Sequence, residues 1–148
     1  MNILQQFLAY AGDFEKTYAD DDWTRLRQYF AEDAVYEVKA QSFGCKLQGR
    51  DAILKGIKKS LDGFDRKFDG RKIKVSSGPD VDETEIRMSW EVTYTKPGWT
   101  PYILSGRSVA RYADGKIVYL SDAYEPSVEE AGVTWQRVNG VQLDPAYG

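Results

Sequence analysis

The chain has 148 residues, of which 42% are hydrophobic and 29% charged, and a formal net charge of -3. That composition argues against a disordered chain and a membrane protein, and the length is that of one domain able to bury a core without staples. A single cysteine and no histidine exclude an internal disulfide, the Cys/His zinc patterns and every histidine-dependent triad, so any chemistry falls to carboxylates, tyrosines, Arg, Lys or Cys45.

In chain order, the opening segment places Ile3, Leu4, Phe7, Leu8, Ala11, Phe14 and Tyr18 at steps of three and four, one face of an amphipathic helix. Its start lacks a basic leader, and no apolar run nears the roughly 20 residues of a spanning helix, so a cytoplasmic protein is expected, with no membrane partner. Asp22 can cap a second, shorter helix carrying Trp23, Leu26 and Phe30. Ala34 to Val38 is rich in strand formers, and a loop through Gly44, holding Cys45, leads to a third helix with Ile53, Leu54, Ile57, Leu61 and Phe64 on one face. Asp51 reads as a first-turn acid favoured by the helix dipole, and Cys45 has no histidine to activate it.

From residue 71 the period becomes two. Ile73 and Val75 alternate with lysines, and in Glu85 to Tyr94 the residues Ile86, Met88, Trp90, Val92 and Tyr94 share one face while Arg87, Ser89, Glu91 and Thr93 share the other. Tyr102 to Tyr112 and Lys116 to Glu125 are joined by the hairpin signal Ala113-Asp114-Gly115. Helices first and sheet second is the α+β pattern, with an antiparallel meander and the helices on one face of a curved sheet. The expected organisation is a single domain over 1–126 and a C-terminal extension over 127–148 that packs on the body or on a partner subunit. Ser127 and Glu130 allow a short helical turn there, and Trp135 is its anchor.

The basic stretch over 50–74 is interrupted by acids and falls partly on a helix's polar side, so it reads as a solvated face and no nucleic acid is expected. The polar outer face of the sheet is expected to pair the chain into a homodimer.

One residue breaks the pattern of the last strand. In YLSDAYEP, Asp122 shares a face with Leu120 and Tyr124, which puts a carboxylate on the apolar side. Three readings stand: a buried acid–base group with a raised pKa, a structural carboxylate accepting hydrogen bonds from Arg107 or a tyrosine, or a solvent-facing residue where the strand ends early. Tyr36, Trp90, Tyr94 and either Tyr10 or Phe14 would line the same side, an aromatic setting that fits an apolar small molecule. Trp99 and Tyr102, flanking Pro101, would close its mouth or cover an edge.

The stretches YFAEDAVYEV (29–38), QGRDAI (48–53) and YADGKIVYLSDAYEP (112–126), in that order, resemble the nuclear transport factor 2-like superfamily in its SnoaL-like branch. The resemblance implies a cystatin-like cone: three N-terminal helices packed in a strongly curved antiparallel sheet with a pocket on the concave side. Against ketosteroid isomerases, the base position falls on Val38, the helix tyrosine on Phe14 and the second oxyanion donor near Ser108, so that apparatus is absent. Against limonene epoxide hydrolases, the first-strand pair reads Tyr36 and Val38, the central pair Ser89 and Glu91, and the last-strand aspartate is Asp122. Against polyketide cyclases, Asp122 matches the acid–base aspartate, and the histidine that accompanies it there has no counterpart. The expectation is an acid–base isomerase, cyclase or hydratase for an apolar carbonyl, enol or epoxide compound, or else a binding protein for a hydrophobic metabolite or a protein-interaction module. Asp122 and Tyr36 are the candidate catalytic residues; Phe14, Val38, Trp90, Tyr94, Leu120 and Tyr124 are the candidate substrate contacts; no metal or cofactor is called for.

Overall fold

The computed structural model describes residues 2–148. Helix α1 (Ile3–Asp20) begins at Asn2, whose side chain accepts from the Gln5 amide while the Gln5 side chain accepts from the Asn2 amide. That reciprocal cap satisfies two donors the first turn leaves free. The second expected helix is a 3-10 segment, Trp23–Tyr29, which Asp22 does not cap with its side chain, because that carboxylate takes the Thr24 hydroxyl instead. The next residue, Phe30, is already extended and opens β1 (Phe30–Lys39).

The expected loop around Cys45 contains a strand, β2 (Cys45–Gln48), which pairs antiparallel with β1 through Val38 and Cys45 at one end and Val35 and Gln48 at the other. Helix α2 (Arg50–Gly63) follows. The long strands β3 (Gly70–Val81), β4 (Glu85–Thr95), β5 (Tyr102–Ala113) and β6 (Lys116–Ala123) then form the antiparallel meander read from the sequence. The sheet order is β2-β1-β6-β5-β4-β3. One contact departs from the expected all-antiparallel sheet: β6 lies parallel to β1, with Val38 beside Asp122. β3 enters the sheet running opposite to β1, so three antiparallel turns later β6 arrives on the free side of β1 running in the same direction.

The core has two parts on the concave face. Around α1, α2, β1 and β6 lie Leu26, Ile53, Ile86 and Ile117, each at most 1% exposed, and each such side chain contributes about 1.5–3 kcal/mol relative to exposure. Around the far ends of β4 and β5, Phe64, Phe68, Tyr94, Tyr102 and Leu143 form a second, aromatic cluster. Strand β3 is an edge strand: Ile73 (48% exposed) and Val75 (46%) face the concave side opposite Val92 and Trp90.

The C-terminal segment is a full helix, α3 (Pro126–Asn139), rather than one turn; Pro126 starts it with a preset φ, and Gly140 ends it at φ 63°. Trp135 packs on the body of the same chain, its ring 4.9 Å from Tyr102 and 5.5 Å from Phe68, and its indole N–H donates to the Thr100 carbonyl at 2.9 Å. At the other end Glu129 accepts from the Gln41 and Ser42 amides at 2.9 and 3.0 Å. Among the described residues no helix is long and apolar enough to cross a membrane.

Candidate functional site

Members of both core clusters wall a cavity of about 530 Å³ on the concave face. Asp122 reaches it from β6, as the alternation requires. Its neighbours across the sheet are fixed by register: Ser108 of β5 stands directly opposite, and Tyr36 of β1 is paired with Leu120 two residues back on the same face. The Ser108 hydroxyl donates to Asp122 Oδ1 at 2.5 Å, and the Tyr36 hydroxyl donates to Oδ2. The Trp90 indole N–H, from β4, donates to Ser108 Oγ at 2.8 Å. A hydrogen-bond chain therefore crosses four adjacent strands and ends on one carboxyl group. Its geometry depends on Gly106, the cross-strand partner of Trp90: a Cβ there would stand 2.6 Å from the indole, which lies over the bare backbone.

Burial drives the Asp122 carboxyl above its usual range, and the bonds from Ser108 and Tyr36 draw it only part of the way back. No cation among the described residues bonds to it. Arg107, expected as a possible partner, points to the outside and pairs with Glu125 at 2.9 Å, because it alternates with Ser108 on β5. Burial and the Asp122 charge push the Tyr36 hydroxyl well above a free tyrosine, so it stays protonated and remains a donor.

Of the other expected contacts, Phe14, Trp90, Tyr94, Leu120 and Tyr124 line the cavity, as does Tyr10. Val38 does not. It is 3% exposed and belongs to the core, and at its end of the sheet the wall is made by Phe43 and Tyr124, whose rings lie 5.4 Å apart. Ser89 and Glu91, the central pair of the epoxide-hydrolase comparison, alternate with Trp90 and face away from the cavity. Tyr102 lines the wall, while Trp99 packs edge to face against Phe68 and Trp135. The Cys45 thiol is pushed up by burial, the reverse of activation. Among the described residues no group of three or more His, Cys, Asp or Glu side chains is placed to hold a metal ion.

A second polar group in the cavity was not foreseen. Asp65, just after α2, accepts from the Tyr94 hydroxyl at 2.7 Å and from Arg71 Nε at 3.2 Å. The Arg71 guanidinium also donates to both Glu15 oxygens at 2.9 Å and lies 4.8 Å from the Tyr18 ring. Burial raises the Asp65 carboxyl too, against the pull of Arg71 and Tyr94. The signal was present in the sequence: Arg71 is in step with Ile73 and Val75, a charge on an apolar face like Asp122. Tyr147 was also missed, and it enters the wall from the C-terminal segment.

A one-sided curved sheet, backed by helices and enclosing a cavity with few polar groups, defines a class of α+β pocket proteins. Within that class the chain belongs to the SnoaL-like domain family, which matches it over residues 11–120. No curated protein matches the sequence. Among solved structures it is similar to a candidate isomerase from Bacillus subtilis, with 20% identity, a TM-score of 0.65 and coverage of 90% of this chain and 96% of the other. An epoxide hydrolase of the LEH-like type from M. tuberculosis gives 12% identity and a TM-score of 0.62, covering 90% and 94%. A candidate polyketide cyclase from Xanthomonas campestris gives 15% and 0.56, covering 86% and 97%. At these identities the likeness is one of fold.

Proposed function

We propose that the chain is a small-molecule-pocket protein in which Asp122 is the acid–base group of an isomerase, cyclase or hydratase acting on an apolar carbonyl, enol or epoxide compound. The observation that carries this reading is a carboxyl group in an aromatic cavity, held by neutral donors alone and raised above its ordinary value by burial, the setting of an acid–base group. In the ionised state Asp122 takes a proton from the carbon beside a carbonyl, the electron pair of the broken C–H bond moves onto oxygen, and the carboxylic acid so formed returns the proton to carbon. Tyr36 and Ser108 keep the carboxylate aimed during both steps.

The test uses 2-acetylnaphthalene, an apolar ketone, in deuterium oxide, with exchange of its methyl hydrogens followed by NMR. Asp122→Asn is expected to slow the protein-dependent exchange by about 100-fold or more, the weight of a positioned base. Equal rates in the two proteins would remove the acid–base claim. A binding protein for a hydrophobic metabolite is the second reading, favoured by one feature: each Asp122 oxygen already receives a hydrogen bond. Tight binding of the ketone with no exchange would select it.

The same reading assigns the sheet's outer face, with Arg87, Ser89, Glu91 and Thr93, to a homodimer in the cytoplasm. The dimer part of that reading is supported by the polar alternation of β4, whose Arg87 is exposed and whose Ser89, Glu91 and Thr93 are half-buried.

A further inference from the structure

Tyrosine protons in the cavity are unequally committed. The single proton of Tyr36 goes to Asp122, so while Asp122 is ionised Tyr36 cannot also hold a substrate oxygen. The nearest other hydroxyl is that of Tyr147, 3.4 Å from the Tyr36 oxygen, with the two rings edge to face at 5.5 Å. With the Tyr36 proton on Asp122, the contact can only be Tyr147 donating to the Tyr36 oxygen, and at 3.4 Å it is weak, so a better-placed substrate oxygen can take that proton in its place. Burial and the Asp122 charge push the Tyr147 hydroxyl upward, so it is a neutral donor at any ordinary pH.

Tyr147 is not there by loose packing. After Gly140 the chain turns back and runs along α2 as a strap. Leu143 is buried in the aromatic cluster and its amide donates to the Gln136 side chain at 2.8 Å. The Asp144 amide donates to the Gly63 carbonyl at 3.1 Å, and Ser60 Oγ donates to the Pro145 carbonyl at 2.9 Å. The face of α2 beneath the strap is bare of bulk: a Cβ on Gly63 would meet the Asp144 carbonyl oxygen at 2.2 Å, and one on Gly56 would meet that of Tyr147 at 3.0 Å. Helix and strap are matched so that residue 147 arrives beside the carboxyl group.

We propose that Tyr147 is a substrate-contacting residue: its hydroxyl donates to the substrate's carbonyl or enolate oxygen, beside the Asp122–Tyr36 pair, and the strap makes the ligand an oxygen-bearing apolar molecule. The proposal rests on the small-molecule reading above but not on proton transfer by Asp122. As the broken C–H bond delivers its electron pair to oxygen, that oxygen becomes a better acceptor, and the Tyr147 bond strengthens where charge develops.

Tyr147→Phe keeps the ring and its packing and removes only the donor. Fluorescence titration with 2-acetylnaphthalene and with 2-isopropenylnaphthalene, the same shape with carbon in place of oxygen, separates the two roles. Tyr147→Phe is expected to weaken the ketone by about fivefold, the weight of one neutral hydrogen bond, and to leave the hydrocarbon unchanged. The carbonyl stretch of the bound ketone should lie below its value in hexane in the unaltered protein and rise in the variant. Equal losses for both probes, an unmoved stretch, or a ketone that does not bind the unaltered protein would each overturn the proposal. Loss of the Asp122 reading leaves every one of these outcomes intact, because none depends on exchange.

Discussion

Two half-buried carboxylates share one cavity and are held in opposite ways. Asp65 faces a guanidinium that is itself fixed by Glu15, and both side chains of the Arg71–Asp65 pair are little exposed, at 12% and 13%. Asp122 faces only hydroxyls. Burial raises both groups; Asp65 is drawn back by a guanidinium as well as the Tyr94 hydroxyl, whereas Asp122 is drawn back by the neutral hydroxyls of Ser108 and Tyr36 alone. What sets the two carboxylates apart is the charge of the partner and not depth in the cavity.

Removing the cation should have the largest effect. Arg71→Met leaves Asp65 buried with Tyr94 as its remaining partner, and a stability loss of about 3 kcal/mol is expected in urea denaturation at pH 7. A loss below about 1 kcal/mol would mean that the pair is not what holds Asp65, and the contrast would fail. Ser108→Ala comes next, with a loss of about 1 kcal/mol, since it deprives Asp122 of one donor and Trp90 of its acceptor. Its sharper sign is in a carboxyl-carbon NMR titration, where the Asp122 midpoint should move upward, because Ser108 is among the groups drawing it down.

The smallest expected effect is on stability against pH. A carboxyl raised in the folded state keeps a proton that the unfolded chain has released, so its stabilising contribution is complete below the ordinary value of 3.8 and is lost as pH rises through the folded value. Asp122→Asn removes that loss. The variant should therefore gain on the unaltered protein as pH rises from 4 to 8, while Asp65 contributes equally to both proteins and cancels. A gap constant across that range would mean that Asp122 titrates normally.

Period two carried most of what the sequence disclosed. It placed Met88, Trp90, Val92 and Tyr94 on the concave face, and it singled out Asp122 as a charge out of place. The same rule applied to Arg71 would have found the second polar group, but a charge at the start of a strand, with Lys72 and Lys74 following it, looks like ordinary surface. Val38 failed for a different reason: sharing a face with Tyr36 gives direction, not depth, and Phe43 and Tyr124 make the wall at that end. Strand β2, four residues long with one glycine just before it and another just after, offers too short a pattern to show a period. The strap was beyond reach because its fit depends on Gly56, Ser60 and Gly63 of α2, residues over 80 positions away that read only as weak helix formers.

Strand β3 has a consequence for how copies of this protein behave in crowded solution. Its outer edge is an unpaired ladder, 12 residues long, and Ile73 and Val75 stand half-exposed along it, the makings of a template for strand-to-strand aggregation. Lys72 and Lys74, exposed on the opposite face, place like charges wherever two such edges would meet. These two lysines, part of the basic stretch read from the sequence as a solvated face, act as gatekeepers, and their guard is electrostatic, so it weakens as salt is added.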